Sequence, residues 1–496
     1  MTNPTASVYP AAYRIDAGSV PIAGTIRLPG SKSITNRALL ASALASGSTV
    51  LENALFCDDS VHMADALIKL GVLVTRDEHL HRFRVKGAGG TFPTREAEVF
   101  LGNAGTATRF LTAALCIPGG RYTVDGDARM RERPIGDLVK ALRDLGAEIE
   151  APTGCPPVRI GRHGPGSGSG SGTVSGAFNE GTVVVSGRIS SQFISAILLA
   201  APYARRDVEV LIEGVCVSRP YIDITISVMR SFGAAVRSDE GRADGRTSFR
   251  VVAGRGYRPP PLQTLGRFRA MEREQAQEPT YEIEGDASTA SYFMAGAALT
   301  GGILRVEGIG KESIQGDARF ADVLAAMGAH VKKDLVATGV TGDTLKGVEV
   351  DCADMPDVVP TLAALALFAR GRTRIRNVAH LRFKESDRIT SVATELRKLG
   401  GRVKDLPDGL EIEESRLRPA VVDTWNDHRI AMAAAVIGLR VPGLVIRDPK
   451  VVAKSFPEFF DVFRTAGAQL TPLDPGDIPP DPQARAGKPP SAGEAK

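Results

Sequence analysis

This 496-residue sequence has almost no excess of positive over negative charge. Its 61 Lys and Arg residues almost balance 57 Asp and Glu residues, so that the net charge is only +4. Aromatic residues make up 5% of the chain, which leaves few side chains on which bases could stack. A nucleic-acid-binding domain normally carries a strong basic bias, and we therefore expect no nucleic-acid partner.

Cysteines are few, and no pair of them has the spacing of a metal site or a redox motif. This pattern favours a reducing compartment and predicts neither a metal centre nor disulfides. Residues 1–20 lack the basic start and apolar core of a signal peptide, and no apolar run is long enough to span a membrane. We expect a cytoplasmic protein without a membrane partner. The five cysteines are Cys57, Cys116, Cys155, Cys216 and Cys352.

What the sequence does contain is a recurring helix made of small residues, each time preceded by a short polar segment that we call a polar head. Free N–H groups at a helix start attract anions, and small residues let a ligand approach the backbone. One such segment alone is a weak signal, but six occur. The polar heads are residues 31–37, 101–109, 190–192, 286–288, 355–357 and 426–429.

A second pattern alternates with the first. Six amphipathic helices each end in a glycine-containing tripeptide followed by a β-rich stretch, as at 145–147 and 327–329. Alternation of two helix types predicts an internal repeat of roughly seventy residues. Three repeats before about residue 256 and three from about 281 predict two similar α/β domains with a ligand cleft between them.

Segments outside the repeats are predicted to be peripheral. We expect residues 1–13 to be a loose lead-in and the Gly/Ser-rich insert within 163–176 to be a surface loop. The proline-bounded insert at 258–280 is predicted to lie near a domain junction, with a short helix at 267–277. The tail at 473–496 is predicted to be disordered.

The polar heads share a basic bias, since they carry Lys32, Arg37, Arg109 and Arg429. If the helices of both domains direct their N-termini to one cleft, their dipoles add to these charges. Such a cleft favours an anion with several phosphate or carboxylate groups, because Arg forms forked contacts with those oxygens.

Each charged motif also has a plain interpretation. A single basic cluster, such as residues 384–388, is more often a solvated surface. Asp357 follows a proline at a helix start and could serve only as an N-cap, and Glu385 could form only a surface ion pair. In a closed basic cleft, either carboxylate could instead exchange protons with a substrate. His380 and His428 lack metal-ligand spacing, which favours hydrogen bonding.

Ten segments together resemble the 5-enolpyruvylshikimate-3-phosphate synthase family, in the family's order and over about residues 20–470. They are 28–33 (LPGSKS, followed by Asn36 and Arg37), 101–109 (LGNAGTATR), 131–136 (RERPIG), 190–193 (SSQF), 218–224 (SRPYIDI), 284–288 (EGDAS), 315–323 (QGDARFADV), 384–388 (KESDR), 426–429 (NDHR) and 453–457 (AKSFP).

The resemblance implies two inside-out, barrel-like α/β domains, each of three βαβαββ repeats, with a cleft between them. The first domain would comprise residues 1–30 and 284–472, and the second residues 31–283. It also implies transfer of the enolpyruvyl group of phosphoenolpyruvate to the 5-hydroxyl of shikimate 3-phosphate, with release of phosphate through a tetrahedral intermediate. This shikimate-pathway enzyme would be a monomer and would use no metal or other cofactor.

The resemblance also implies the roles of individual residues. Asp357 would accept the proton of the attacking hydroxyl, and Glu385, with Lys32, would handle the proton at the methylene carbon. Shikimate 3-phosphate would contact Lys32, Ser33, Arg37, Ser190, Ser191, Gln192, Ser218, Tyr221, Asp357, His380 and Lys384. Phosphoenolpyruvate would contact Lys32, Asn103, Gly105, Arg133, Gln192, Arg388, His428, Arg429 and Lys454.

The sequence departs from the family pattern at two single positions and in the two inserts at 163–176 and 258–280. Phe110 occupies a position where proline is common, and His380 one where asparagine is common. Two other functions stay open at this point. One is a UDP-N-acetylglucosamine enolpyruvyl transferase, although residues 131–136 lack the cysteine often found in its mobile loop. The other is a non-catalytic anion-binding relative, although Lys32, Arg133, Asp357 and Glu385 are all present.

Overall fold

The computed structural model describes residues 9–16, 20–117, 119–161, 178, 181–188, 190–242, 244–261 and 278–480. The predicted surface loop at 163–176, the predicted helix at 267–277 and most of the predicted tail lie outside these residues. Within the described part of the tail, Pro475–Asp477 form a 3-10 turn.

Twelve α-helices occur in the described residues, and they follow the predicted alternation. The odd-numbered helices each begin within or just after a polar head, and the even-numbered ones are the predicted amphipathic helices. The helices are α1 Lys32–Leu44, α2 Asp58–Lys69, α3 Gly105–Leu115, α4 Gly136–Asp144, α5 Ser191–Ala200, α6 Arg219–Ser231, α7 Ala287–Thr300, α8 Phe320–Met327, α9 Val359–Ala366, α10 Arg388–Lys398, α11 His428–Gly438 and α12 Phe459–Thr465.

Twenty-four strands in the same residues form six four-stranded sheets. The strands are β1 Ala12–Ile15, β2 Gly24–Arg27, β3 Ser48–Glu52, β4 Leu73–Asp77, β5 Arg82–Lys86, β6 Glu96–Phe100, β7 Arg121–Asp125, β8 Ile149–Glu150, β9 Val158–Ile160, β10 Thr182–Ser186, β11 Val208–Glu213, β12 Val236–Asp239, β13 Ser248–Val251, β14 Thr280–Glu282, β15 Ile303–Glu307, β16 His330–Lys333, β17 Ala337–Thr341, β18 Glu349–Asp351, β19 Arg372–Arg376, β20 Arg402–Leu406, β21 Gly409–Glu413, β22 Val421–Val422, β23 Val445–Arg447 and β24 Leu470–Leu473.

The unit from β6 to β9 illustrates the repeat. β6 and β7 pair in parallel across α3, and β7 then pairs antiparallel with β9, which pairs with β8. A parallel pair needs a crossover, which α3 supplies, whereas β8 and β9 are joined by a short connection. The units β10–β13 and β18–β21 have the same order, so the predicted βαβαββ repeat is confirmed.

Two units exchange their first strands. β2, which precedes α1, pairs with β15, and β14, which precedes α7, pairs with β3. The chain therefore crosses twice between two groups of sheets. These crossings lie next to the polar heads of α1 and α7, where the backbone N–H of Lys32 donates to the Asp286 carboxylate at 3.0 Å.

The prediction of a loose lead-in is wrong at Ala12 and Tyr13. They lie in β1, which pairs with β23 and β24 in the last sheet. Ala12 is completely buried, and Tyr13 packs on Phe460. This strand completes the sixth sheet, because the last unit supplies only three strands of its own.

The buried side chains of the described residues form two large hydrophobic cores. One collects side chains between Ile34 and Ile283, and the other collects Ile15 to Leu28 together with side chains from Ala287 to Ala468. The polar-head helices are buried nearly all round in these cores, whereas strands such as β19 alternate buried and exposed residues and turn one face to solvent. The domain boundaries at 30/31 and 283/284 stay a prediction.

All five cysteines are free thiols. No helix in the described ranges is long and apolar enough to cross a membrane.

Candidate active site

One cavity lies where the polar heads of α1, α3 and α5 meet those of α9 and α11. We call the residues built around each of the two hydrophobic cores a half of the protein. Side chains from both halves therefore face the same space, as the sequence predicts. The residues lining this cavity, which we call the cleft, are Lys32, Ser33, Arg37, Asp59, Gly105, Thr106, Arg133, Ser191, Gln192, Ser218, Tyr221, Asp357, Lys384, Glu385, Arg388 and Arg429.

Asp357 lies at the centre of a fork formed by two arginines. Its Oδ1 accepts from Arg388 at 2.9 Å, and its Oδ2 accepts from Arg429 at 2.6 Å. Burial favours the neutral form of Asp357, but the charges of Arg429 and Arg388 outweigh it and hold the pKa of this carboxyl well below its usual range. Asp357 is therefore an anion and faces the cleft from the 3-10 turn before α9.

Arg388 is the most heavily bonded cation of the site. Besides Asp357, it donates to Glu385 at 2.7 Å and to Asp427 at 2.8 Å, and its side chain is only 2% exposed. Asp427 is the N-cap of α11 and accepts from the backbone N–H of Arg429, which fixes both arginines relative to one helix start. Burial opposes ionisation of Glu385, but Arg388, Arg133 and Lys454 keep its pKa well below the usual range.

Asp59 holds two lysines from opposite sides of the cleft. It lies in the first turn of α2, 3.4 Å from Lys32 Nζ and 3.0 Å from Lys454 Nζ. Burial lowers the pKa of Lys32, yet the charges of Asp59 and Glu385 together outweigh it and raise that pKa. Sequence reasoning missed Asp59, because an acidic residue in the first turn of a helix is ordinary dipole compensation.

The turn before α3 lies against an arginine from the following segment. Arg133 donates to Asn103 Oδ1 at 2.9 Å, and Lys454 donates to the Asn103 carbonyl at 2.7 Å. A Cβ built on Gly105 would approach the Arg133 guanidinium to 2.7 Å, so this position requires glycine for Arg133 to lie there. Arg129 donates across the cleft to the carbonyls of Lys384 and Glu385, both at 3.1 Å.

The start of α5 presents hydroxyl and amide groups to the cleft. Ser190 caps the helix and accepts from the backbone N–H of Gln192, whereas Ser191 and the Gln192 side chain line the cavity. The Gln192 amide donates to Thr106 at 3.3 Å and so connects the heads of α5 and α3.

Ser218 and His380 meet across the cleft. Ser218 has a positive φ of 55°, uncommon for a residue with a side chain, and its hydroxyl lies 3.3 Å from His380 Nε2. Burial and the nearby Lys384 lower the pKa of His380 to about 3, so its imidazole is neutral. Lys384 also lines the cleft. Burial lowers the pKa of Lys384, although the negative charge of Asp357 acts in the opposite direction.

Arg37 lines the cavity, and its guanidinium forms hydrogen bonds with residues of its own half. It donates to Thr225 at 2.7 Å and to the carbonyl of Tyr221 at 3.0 Å, and its guanidinium lies 4.9 Å from the centre of the Phe110 ring. Burial lowers the pKa of Arg37 to about 9. Phe110 therefore packs against a residue of the cleft.

His428 is fully buried at the start of α11. Neither ring nitrogen has a hydrogen-bond partner among the described residues. Burial, with the nearby charge of Lys32, keeps the pKa of this histidine well below its usual value, so a neutral imidazole lies behind Glu385 and Lys32. A buried ring without hydrogen-bond partners is uncommon in native proteins.

The structure brings the sequence-predicted residues together. Most line the cleft itself, and the others contact a lining residue or lie near one. These others are Ser190, Asn103, His380, His428 and Lys454. Thr106, Asp59, Asp317 and Asp427 were missed, although Thr106 and Asp317 stand within the motifs at 101–109 and 315–323.

Chemically, the cleft is suited to bind anions. Lys32, Arg133, Lys384, Arg388 and Arg429 line it. Lys32 and the three arginines each pair with a carboxylate or an amide oxygen of the protein that an incoming phosphate or carboxylate could replace. Asp59, Asp357 and Glu385 are the carboxylates in this lining, and a carboxylate in such a cleft can exchange protons with a bound substrate.

Comparison with known proteins gives a single family. The family model described as EPSP synthase (3-phosphoshikimate 1-carboxyvinyltransferase) matches residues 17–249 and 266–463. The 3-phosphoshikimate 1-carboxyvinyltransferase of Laribacter hongkongensis is 45% identical over 454 residues, which cover 90% of this chain and 97% of that protein. That of Nostoc punctiforme is 42% identical over 452 residues, with the same coverage. The solved EPSP synthase of Acinetobacter baumannii superposes with a TM-score of 0.72 at 26% identity and covers 93% of this chain and 99% of that one.

Proposed function

We infer the roles of individual residues from one premise: the chain belongs to the EPSP synthase family. It is an enzyme that transfers the enolpyruvyl group of phosphoenolpyruvate to the 5-hydroxyl of shikimate 3-phosphate and releases phosphate. Its substrates are these two anions, and the reaction belongs to the shikimate pathway to aromatic amino acids.

The observation that carries the residue assignments is the meeting of cations from both halves around one cavity. Lys32, Arg133, Lys384, Arg388 and Arg429 all line it. Two anionic substrates repel each other, and fixed positive charge is needed to hold them within bonding distance. Once they are held, an encounter of two molecules becomes a positioned reaction.

We propose that shikimate 3-phosphate binds mainly to the half that contains α1, α5 and α6. Hydroxyl and amide donors at the start of α5, together with Ser218, suit its phosphate, and the facing half supplies a carboxylate and a lysine. The proposed contacts are Lys32, Ser33, Arg37, Ser190, Ser191, Gln192, Ser218, Tyr221, Asp357, His380 and Lys384.

Phosphoenolpyruvate is assigned to the region between the α3 turn and α11. Arg388 and Arg429 present forked donors that suit a carboxylate, and Lys32, Arg133 and Lys454 suit a phosphate. Asn103 supports Arg133, and Gly105 leaves it room. The proposed contacts are Lys32, Asn103, Gly105, Arg133, Gln192, Arg388, His428, Arg429 and Lys454.

Asp357 is the proposed acceptor of the proton from the attacking 5-hydroxyl. Its present low pKa comes from Arg388 and Arg429. A substrate carboxylate that binds these arginines would share their charge and thereby raise the proton affinity of Asp357. Binding of phosphoenolpyruvate would thus prepare the base for the hydroxyl of the second substrate.

Glu385, with Lys32, is the proposed proton carrier for the methylene carbon. Glu385 Oε2 lies 2.7 Å from Arg388, and its Oε1 lies 3.9 Å from Lys454 Nζ. Addition would bring a proton to the methylene carbon while the oxygen attacks its neighbour, and elimination would remove a proton as phosphate leaves. Fixed cations around the phosphate would stabilise the charge that develops on it.

We further propose the domain division at 30/31 and 283/284, which the two hydrophobic cores support. A monomer is also proposed. The cytoplasmic location stays a prediction.

A phosphate-release assay tests the function. We expect release from phosphoenolpyruvate with shikimate 3-phosphate as acceptor, and none above background with a UDP-amino sugar. An Arg131→Ala variant should release phosphate as the wild type does, because Arg131 is an exposed residue paired with Asp125 in the same segment as Arg133. Release only with the UDP-amino sugar, or with neither acceptor, would contradict the proposal.

A further inference from the structure

The hydroxyl of Tyr221 lies between two carboxylates. It is 3.2 Å from Asp357 Oδ2 and 3.3 Å from Asp317 Oδ2. Tyr221 belongs to α6 in one half, whereas both carboxylates come from 3-10 turns of the other half, at Gly316–Arg319 and Pro356–Val358. The three groups therefore meet only when the two halves are together.

Counting hydrogens distinguishes the two carboxylates. The phenol has one hydrogen, and an ionised carboxylate can only accept. Asp357 already accepts from Arg388 and Arg429, so it is the ionised partner. Asp317 forms no ion pair with Lys or Arg among the described residues, and its hydrogen-bond partners there are the hydroxyls of Ser288 and Tyr221. If both were ionised, one would face the phenol oxygen without a hydrogen between them.

The surroundings of Asp317 also disfavour its charge. The residue is 4% exposed, and its Oδ1 has no hydrogen-bond partner in the described part of the chain. The carboxylates of Asp357 and Asp286 and the thiol of Cys352 lie nearby, and Arg429 is the opposing cation. Burial and the charge of Asp357 raise the pKa of Asp317 to about 7.

We propose that Asp317 is a positioning residue of the enzyme: its protonated carboxyl donates from Oδ2 to the Tyr221 oxygen and thereby directs the phenol hydrogen to Asp357. This inference rests on the proposed role of Asp357 as the base. The donated hydrogen bond fixes the orientation of Asp357 beside the arginines and leaves the second lone pair of Tyr221 for a ligand hydroxyl.

Asp317→Asn is the informative variant, because an amide can donate in the same way but cannot ionise. We expect kcat/KM of this variant to stay within about threefold of the wild type near about pH 6 and to fall less than the wild type towards about pH 8.5. Asp317→Ala, which loses the donor, should lose about tenfold or more at both pH values. Asp322→Asn, an exposed carboxylate on α8 paired with Lys333, is the matched control and should follow the wild-type profile.

A carboxylate role would give the opposite pattern. If Asp317→Asn is as impaired as Asp317→Ala near about pH 6, or if its pH profile superimposes on the wild type, the inference is overturned. Tyr221→Phe, measured in parallel, removes the hydroxyl through which Asp317 acts. In that background we expect Asp317→Asn to leave the pH profile unchanged, and an additional shift would equally overturn the inference. Tyr221→Phe alone should flatten the alkaline fall, which provides a test even if Asp317→Asn does not fold.

Failure of this inference and failure of the proposed function have different signatures. If the wild type releases no phosphate with the two substrates, the proposed function fails. If the wild type is active while Asp317→Asn behaves like Asp317→Ala, only the positioning role of Asp317 fails.

Discussion

The ammonium group of Lys454 lies 3.0 Å from the carboxylate of Asp59, and this ion pair joins the two halves of the cleft. Both side chains are nearly buried, at 10% and 4% exposure. The same carboxylate lies 3.4 Å from Lys32 Nζ. One acidic residue therefore positions two of the cations assigned to phosphoenolpyruvate, and the pairing forms across separate parts of the chain.

Lys454→Met tests this relationship. The change removes a cation from the phosphoenolpyruvate region and leaves Asp59 with Lys32 alone. We expect KM for phosphoenolpyruvate to rise by about tenfold or more, because truncating one partner of a buried pair costs about 2–5 kcal/mol, while KM for shikimate 3-phosphate changes by less than about threefold. Steady-state kinetics with each substrate varied in turn measures both values.

Lys450→Met is the matched control for this change, because Lys450 lies in the same 3-10 segment with its side chain 71% exposed. It should leave both KM values unchanged. An unaltered KM for phosphoenolpyruvate in Lys454→Met would show that Lys454 does not contact this substrate.

Gly105→Ala tests the packing of the α3 turn on Arg133. The added Cβ would lie 2.7 Å from the guanidinium, at the far end of a flexible side chain, so Arg133 is expected to move rather than the fold to fail. We predict a KM for phosphoenolpyruvate raised by about tenfold, which is about 1.4 kcal/mol, with little change in thermal stability. Gly136→Ala, where the nearest atom is 3.7 Å away, serves as the control. A lower melting temperature with unchanged KM would contradict the prediction.

His380 should make the protein sensitive to acid. Its pKa is lowered from 6.5 to about 3 by burial and Lys384, so the unfolded chain binds a proton below about pH 6.5 that the native protein does not bind. Its contribution to stability is therefore present above that pH and is lost as the pH falls towards 3. Between about pH 7 and about pH 5 this loss is about 2 kcal/mol.

Denaturant unfolding at these two pH values gives the test. The free energy of unfolding of His380→Asn should fall by about 2 kcal/mol less than that of the wild type over this interval. His330→Asn removes a histidine that is 76% exposed and should behave as the wild type does. Equal losses in the wild type and in His380→Asn would refute a neutral buried His380.

Much of the repeat and of the cleft could be predicted from sequence. The polar heads of α1, α3, α5 and α11 are short motifs in which small residues, polar or charged residues and a helix start occur together. Because each motif is contiguous in the sequence, it can be recognised without knowledge of the fold. The alternation of two helix types gave the repeat, because each unit buries one helix fully and one on a single face.

Other features depend on contacts that no local pattern encodes. From the sequence, Asp59 is only an acidic residue in the first turn of a helix. Its ion pairs with Lys32 and Lys454 form because α2 packs near α1 and the segment that ends at Lys454. The exchange of β2 and β14, and the entry of β1 into the last sheet, are pairings between strands hundreds of residues apart. Tyr221 and Asp317 meet only because the two halves lie against each other.

The central claim is that Asp357, held between Arg388 and Arg429, is the base for the attacking hydroxyl. The most direct measurement compares kcat with the affinity for shikimate 3-phosphate in Asp357→Asn, with the exposed Asp351→Asn as control. The account predicts that kcat falls by about a hundredfold or more while the dissociation constant changes by less than about tenfold. An unchanged kcat, or a loss explained entirely by weaker binding, would contradict it.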